Sequence, residues 1–256
     1  MSVGTRQASR LQFVFVVLMA CAAYAADSPV TPSWTDERLY YSFSVPDDWI
    51  QVPGNAVLEM ARQSTEISGT SPQSYETAFQ KRSSQYFTFP YLLVQHHDLK
   101  AATLRQIAQS MGSVADRDGL NELRSLESFK QMEFGMPFVD SERNAVITRM
   151  TNTYPRVGSV TALSVAFPGR DGTVGIYLYS QSSDFDRHLP VFEKILDSFS
   201  FAPGHGYSPA RAMNDGISEG ARNTLIGAMI GGLIGMIITV IRRRLSKPPN
   251  GNSPEE

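Results

Sequence analysis

The stretch VTALSVAFPGRDGTVGIYLY, residues Val160–Tyr179, decides the fold of this chain. Two apolar runs, Val160–Phe167 and Thr173–Tyr179, flank the interval Pro168–Gly172, which is typical of the connection in a β-hairpin. In the second run the aliphatic and aromatic residues alternate, with one face formed by Val174, Ile176 and Leu178 and the other by Tyr177 and Tyr179. Because both faces are apolar, the sequence predicts that the sheet is covered on both sides.

Segments on either side of this hairpin predict the rest of the domain. Asp186–Phe199 is an amphipathic helix that would cover one sheet face, and its apolar stripe consists of Leu189, Phe192, Ile195, Leu196 and Phe199. Further strands are predicted at Tyr41–Val45, Phe87–Gln95, Gln131–Val139 and Ala145–Thr153. Shorter helices are predicted at Val57–Gln63, with Asn55 as N-cap and a loop at Ser64–Ser74, and at Ala102–Met111. The fold class is therefore α+β, a mostly antiparallel sheet with helices packed on it.

An opening strand Phe43-Ser44-Val45-Pro46 is followed closely by Trp49, and the domain closes with FEKILDSFSF at Phe192–Phe201. Together with the consecutive antiparallel strands between them, these segments resemble the Mog1/PsbP-like superfamily, which includes bacterial DcrB-type envelope proteins. The resemblance covers Tyr40–Phe201. It implies a binding or assembly module rather than an enzyme, and it brings no catalytic motif to this chain.

The N-terminus has the features of a secretory signal peptide over residues 1–25. An apolar run, Phe13–Ala25, follows two arginines and ends in the small-residue motif Ala23-Tyr24-Ala25, which predicts cleavage before Ala26. The run is too short to span a bilayer. An alternative is lipidation of Cys21, because Leu18-Met19-Ala20-Cys21 resembles the lipobox of bacterial lipoproteins.

A second apolar run, Thr224–Ile241, is long enough for one transmembrane helix. The basic cluster behind it predicts a cytoplasmic tail over residues 242–256, and its members are Arg242, Arg243, Arg244 and Lys247. We therefore expect a single-pass protein of the cytoplasmic (inner) membrane, with its bulk domain on the periplasmic side. Residues 26–39 would form a leader segment, residues 40–201 the domain, and residues 202–223 a flexible linker.

Three glycines in the predicted span recur every four residues, at Gly227, Gly231 and Gly235, and so share one helix face. Such a face lets two helix backbones pack closely in lipid, which predicts a homo-oligomer. The other interpretation is that glycine is common in membrane helices.

Composition excludes several function classes. The net charge of −2 and the lack of a basic face argue against a nucleic-acid partner. The single cysteine, Cys21, lies within the predicted signal peptide, so the mature domain would have no disulfide, thiolate nucleophile or thiolate metal site. No motif indicates a cofactor, and the sequence predicts none.

The candidate catalytic and metal-ligating residues have simpler structural interpretations. His96 and His97 are neighbours on a strand and would point to opposite faces, which disfavours shared metal binding. Asp184, Asp186 and His188 form an acid–histidine cluster, but an aspartate there is expected to cap the following helix. Gly216–Gly220 matches G-x-S-x-G, although no strand precedes it. Four aromatic residues would be core or line a ligand groove: Tyr86, Phe87, Phe89 and Tyr91.

The sequence favours a membrane-tethered extracytoplasmic binding or assembly module without catalytic activity, acting with an envelope protein partner. Two alternatives stay open. One is a hydrolase or metal-dependent enzyme that uses His96, His97 or His188, and the other is a carrier of an apolar ligand in a cavity between sheet and helix.

Overall fold

The computed structural model describes residues 34–68, 74–98, 103–112, 132–154 and 158–209. In these ranges eight strands form one antiparallel sheet in the order β3-β4-β5-β10-β9-β8-β6, and β7 also pairs with β8. The strands of this sheet are β3 (Trp49–Gln51), β4 (Thr77–Lys81), β5 (Tyr91–His97), β6 (Met132–Phe134), β7 (Phe138–Asp140), β8 (Ala145–Tyr154), β9 (Gly158–Pro168) and β10 (Thr173–Gln181). The predicted α+β class is confirmed.

The hairpin predicted from Val160–Tyr179 forms the centre of this sheet. Strands β9 and β10 pair in the register Thr173↔Pro168 to Gln181↔Val160, and β5 pairs with the other edge of β10. The connection closes through a hydrogen bond of 2.7 Å from the Gly169 amide to the Gly172 carbonyl. Gly172 has a φ of 147°, which favours glycine at this position.

Both faces of the sheet are covered, as the alternation in β10 predicts. Helices α1 (Gly54–Ser68) and α2 (Leu104–Gly112) pack on the face that carries Tyr177 and Tyr179. Helix α3 (Phe185–Asp197), which follows a short 3₁₀ helix at Ser182–Asp184, packs on the other face through Phe192, Ile195 and Leu196.

A second sheet, of three strands, packs beside α3 on the same face of the large sheet. Its order is β1-β2-β11, from β1 (Trp34–Asp36), β2 (Tyr41–Phe43) and β11 (Ser200–Phe201). The side chains of Tyr41, Phe43 and Trp49 enter the same core as α3. The chain thus closes on itself, because β11 pairs with a strand from the start of the domain.

Several boundaries differ from the sequence prediction. Helix α1 is longer at both ends: it begins at Gly54, so Asn55 lies inside it and is not the N-cap, and it continues to Ser68 through part of the predicted loop. The carbonyl of Pro53 accepts the amides of Ala56 and Val57, which starts the first turn at Gly54, three residues before the predicted start at Val57. The next glycine or proline after Gly54 is Gly69, so nothing in the sequence breaks the helix before it.

The predicted strands Phe87–Gln95 and Gln131–Val139 are each reduced. Phe87 adopts a φ of 56°, a left-handed conformation that a strand does not allow, and β5 starts only at Tyr91. The second segment divides into β6 and β7 around residues 135–137, where the Gly135 amide still bonds to the Arg149 carbonyl of β8 at 2.7 Å.

The predicted signal peptide, the transmembrane segment 224–241 and the tail 242–256 lie outside the described residues. None of the helices within the described ranges combines the length and the apolar character that a membrane span needs.

Candidate functional site

A groove of about 460 Å³ opens at one end of the domain, where the turn between β7 and β8, the end of β9, the end of α3 and the segment after β11 meet. Its lining combines aromatic side chains with charged groups: Phe167, Phe199, Phe201 and Tyr207 on the one hand, and Glu142, Arg143 and Asp197 on the other. Clefts with an apolar lining and a few polar groups are typical binding sites.

The floor of the groove is an aromatic ladder. The rings of Phe167 and Phe199 stack with their centroids 3.9 Å apart, and Phe201 meets Phe199 edge to face at 5.1 Å. Phe199 and Phe201 are two residues apart at the start of β11, so an extended backbone places both on the same side. The closing Ser-Phe-Ser-Phe pattern therefore builds this floor.

The rim is organised by the turn between β7 and β8. The Asp140 carboxylate accepts the amides of Glu142 and Arg143 at 3.0 and 3.1 Å, an arrangement that aspartate commonly forms in turns. Asn144 then takes a φ of 51°, which asparagine tolerates better than most residues, and returns the chain into β8. This turn directs the Arg143 side chain back over the end of α3.

Arg143 is the central cation of the rim. Its Nη1 donates to Asp140 at 2.7 Å, its Nη2 to Glu193 at 2.6 Å, and its Nε to Asp197 at 2.8 Å. Burial raises the pKa of Asp140, but hydrogen bonds from the Arg143 backbone and guanidinium outweigh it, so the pKa of Asp140 lies below its ordinary value. The same carboxylates raise the pKa of Arg143 against the effect of its burial.

A second polar cluster lies beside the groove and holds the residues that follow β11. The His205 Nδ1 lies 2.8 Å from the Asp171 Oδ2, and the His205 ring stacks on Tyr40 at 3.8 Å. Arg170 donates its backbone amide to the His205 carbonyl at 2.8 Å and its Nη2 to the His205 Nε2 at 3.3 Å. Both ring nitrogens are therefore engaged, which makes His205 a positioning group rather than a general base.

Gly169 makes this docking sterically feasible. A Cβ atom at Gly169 would lie 2.8 Å from the Phe201 ring and 3.1 Å from the His205 carbonyl oxygen. The Gly169 backbone also forms an isolated antiparallel bridge with Gly206. The first residues of the segment predicted as a linker thus lie against the domain, and Tyr207 continues into the groove wall.

The structure separates the sequence-predicted histidines. His97 is buried, and its Nε2 lies 3.0 Å from the Tyr177 hydroxyl. Burial, with a smaller effect of neighbouring His96, lowers the pKa of His97 to about 4, so the ring is neutral at physiological pH. His96 points to the opposite sheet face beside Gly172, as predicted from strand geometry.

His188 lies at the other end of β10. The His188 Nδ1 is 2.8 Å from the hydroxyl of Ser180, near the end of β10. His96 on β5 pairs instead with Val174, near the start of β10. Ser180 lies six positions along the strand from Val174, a distance of about 20 Å. The three histidines therefore do not form one site, and no group of three or more His, Cys, Asp or Glu side chains among the described residues could hold a metal ion.

The remaining predicted candidates have structural roles or lie outside the described residues. Asp184 precedes α3 but makes no side-chain cap hydrogen bond, so the predicted cap is wrong there, and its carboxylate instead pairs with Arg187 at 3.0 Å. Phe87 and Tyr91 are core residues, and Tyr91 stacks on Tyr179 at 4.9 Å. The G-x-S-x-G segment, the three glycines of the predicted span and the basic cluster at residues 242–247 are all outside the described ranges.

Sequence reasoning missed the groove residues. Arg143, which lines the groove, and Asp171, in the cluster beside it, belong to segments that the sequence identifies only as hairpin connections, and His205 of the same cluster belongs to the predicted linker. No signal in the sequence distinguishes these residues, because aspartate is a common turn residue and the connection Pro168–Gly172 has an ordinary turn composition.

No family model matches the chain, and no curated protein sequence matches it. Among solved structures, cyanobacterial PsbP (CyanoP) from Synechocystis sp. PCC 6803 is similar, with 14% identity and a TM-score of 0.43 over 69% of this chain and 96% of that protein. LpqN, involved in cell envelope biogenesis of Mycobacterium tuberculosis, is similar with 10% identity and a TM-score of 0.38 over 70% of this chain and 88% of LpqN. The chain is thus similar to a PsbP protein, in agreement with the predicted PsbP-like resemblance.

Proposed function

We propose that the chain is a membrane-tethered extracytoplasmic binding or assembly module without catalytic activity. Thr224–Ile241 would anchor it in the cytoplasmic membrane with the tail from Arg242 in the cytoplasm. The observation that carries the proposal is the groove with its aromatic floor and charged rim.

The groove is suited to binding because its polar groups are already arranged. Arg143 is fixed by three carboxylates, and the aromatic rings of the floor support one another through stacked and edge-to-face contacts. A rigid site loses little conformational entropy when a partner binds. The groove also adjoins Gly206 and Tyr207, so it lies close to the point where the chain leaves the domain.

The separation of the histidines favours binding over the hydrolase and metalloenzyme alternatives. General acid–base catalysis requires a group within hydrogen-bonding reach of the reacting atoms. His97 is buried against Tyr177, and His188, about 20 Å away along β10, bonds to Ser180. Neither arrangement places two histidines at one substrate.

Site-directed photo-crosslinking tests the proposal in cells. A photo-reactive amino acid replaces Ser200, which lines the groove, and a matched chain carries it in place of Leu58, which is exposed on α1 at the other sheet face. We expect discrete adducts with an envelope protein from position 200 and none from position 58. Equal adduct patterns, or none at position 200, would contradict a binding role for the groove.

Protease accessibility tests the proposed topology separately. Protease added to intact spheroplasts should digest the domain and spare a tag placed after Glu256, because the arginines after Ile241 favour the cytoplasmic side. A digested tag with a protected domain would reverse the orientation.

A further inference from the structure

We propose that the groove binds a protein segment in which a basic residue stands next to an aromatic or aliphatic one. This inference rests on the proposed binding function and specifies the chemistry of the partner. Two properties of the groove support it, namely the sign of the charge on its rim and the nature of its floor.

Carboxylates outnumber cations at the rim. One guanidinium, that of Arg143, faces the carboxylates of Asp140, Glu193 and Asp197, and Glu142 lines the groove beside them. Among the side chains that line the groove, one guanidinium (Arg143) and two carboxylates (Glu142 and Asp197) leave a formal charge of −1, since Asp140 and Glu193 pair with Arg143 but do not line the groove. Lys194, the basic residue in the last turn of α3, does not line the groove. The rim therefore attracts cations and repels anions.

Arg143 does not offer an anion site despite its position in the groove lining. Four of its five N–H groups donate to carboxylates of the domain, and the fifth is the second hydrogen on the Nη1 atom that bonds to Asp140. A partner carboxylate at the remaining N–H group would lie beside the carboxylates of Asp140, Glu193 and Asp197, which repel it. By contrast, the Asp197 side chain retains 59% exposure, and Glu142 is exposed as well, so both can accept a lysine or arginine.

The floor adds a preference for an apolar or aromatic neighbour of that cation. The partly exposed rings of Phe199 and Phe201 lie under the rim, Phe199 stacks on the buried ring of Phe167, and Tyr207 also lines the groove. An aromatic or aliphatic side chain buries area on this surface, and a cation above a ring face gains a cation–π contribution. A segment that alternates basic and aromatic residues satisfies both parts of the groove.

Fluorescence anisotropy with the full chain in detergent and two labelled peptides tests the inference. The probes are Gly-Lys-Trp-Lys-Gly and Gly-Glu-Trp-Glu-Gly, which share the aromatic residue and differ in charge. We expect the lysine peptide to bind and the glutamate peptide to bind at least about tenfold more weakly, with affinity for the lysine peptide falling as salt increases.

Substitutions locate the binding site. The double variant Glu142→Gln and Asp197→Asn keeps the shape of the rim and should weaken the lysine peptide by about three- to tenfold. Glu133→Gln, at an exposed carboxylate on β6, is the matched control and should leave binding unchanged. Thermal unfolding of each variant shows whether the domain is folded. Equal binding of the two peptides, or unchanged binding in the folded double variant, would overturn the inference.

The crosslinking and peptide experiments together show whether the partner chemistry alone is wrong or the binding function as well. If groove-specific crosslinks form at position 200 while the peptides do not discriminate by charge, the binding function stands and this partner chemistry is wrong. If neither crosslinks nor peptide binding occur, both proposals are wrong.

Discussion

Acidification should destabilise the domain through a single buried histidine, His97. Its ring lies on the α1 and α2 side of the sheet, and its Nε2 contacts the Tyr177 hydroxyl at 3.0 Å. Because burial lowers the pKa of His97 to about 4, the folded chain resists protonation of a group that the unfolded chain protonates near pH 6.5. The unfolded state therefore binds more protons between these two values, and stability falls as the pH falls through that window.

The size of the effect follows from the two pKa values. For a folded value of about 4 and an unfolded value of about 6.5, linkage gives a loss of about 2 kcal/mol between pH 7 and pH 4.5. This corresponds to a decrease of about 30-fold in the folding equilibrium constant. With a typical dependence of about 2 kcal/mol per molar urea, the unfolding midpoint would move by about 1 M.

Urea unfolding of the full chain in mild detergent measures this shift. Both tryptophans, Trp34 and Trp49, lie in the domain, so intrinsic fluorescence reports its unfolding. His97→Gln keeps a polar group near Tyr177 but does not titrate, so its midpoint should move by about 1 M less than that of the wild type between pH 7 and pH 4.5. His188→Gln is the control and should retain most of the wild-type shift. If the urea midpoint moved equally in the wild type and in His97→Gln, the loss of stability could not be due to His97.

Three further changes test other parts of the structure. Gly169→Ala should cost about 1–3 kcal/mol in urea unfolding, because its Cβ would meet an aromatic ring at 2.8 Å, whereas Gly54→Ala meets no atom within 4 Å and should cost little. Arg143→Met should destabilise by about 1–3 kcal/mol at pH 7, and the loss should shrink below about pH 4 as its carboxylate partners become protonated. Gly231→Ile should weaken cross-linking between copies in membranes while Leu233→Ile does not, and equal signals from both variants and the wild type would exclude the glycine face as a packing surface.

The central architecture can be predicted from the sequence because the hydrophobic residues of each strand and helix repeat with a regular period. The alternation in Thr173–Tyr179 identifies a strand covered on both faces, and the apolar stripe of Asp186–Phe199 identifies the helix that covers one of them. Both features depend on residues within one element. The strand and helix boundaries agree to within a few residues, with β9 at Gly158–Pro168 and α3 at Phe185–Asp197.

Local patterns fail where a long-range contact decides the backbone. Phe87 is apolar and precedes Phe89, which indicates a strand, but its amide bonds to the side chain of Gln80 and its φ is positive. The Gln80 amide group also donates to the Gln85 carbonyl at 2.7 Å. The side chain of one buried glutamine thus shapes the whole loop before β5, and no periodicity in the loop encodes that.

The groove could not be predicted for a related reason, since its parts are distant in sequence. Within the groove Arg143 reaches Asp197 across 54 residues, and in the cluster beside it Asp171 reaches His205 across 34. Each residue alone has an ordinary interpretation, as a turn or a linker residue. Their proximity results from the register that places the β7–β8 turn, the β9–β10 turn and the end of α3 at the same end of the sheet.

The residues after β11 lie against the domain, so the groove extends beyond the end of the core. The closing pattern of the domain ends at Phe201, yet His205 is held by Asp171 and Tyr40, and Tyr207 lines the groove. A chain that ended at Phe201 would retain both core clusters and lose one wall of the groove together with the ring that stacks on Tyr40. The core therefore needs the strands and helices up to β11, whereas the groove needs these and also the segment at Gly206 and Tyr207 that leads towards the predicted membrane helix.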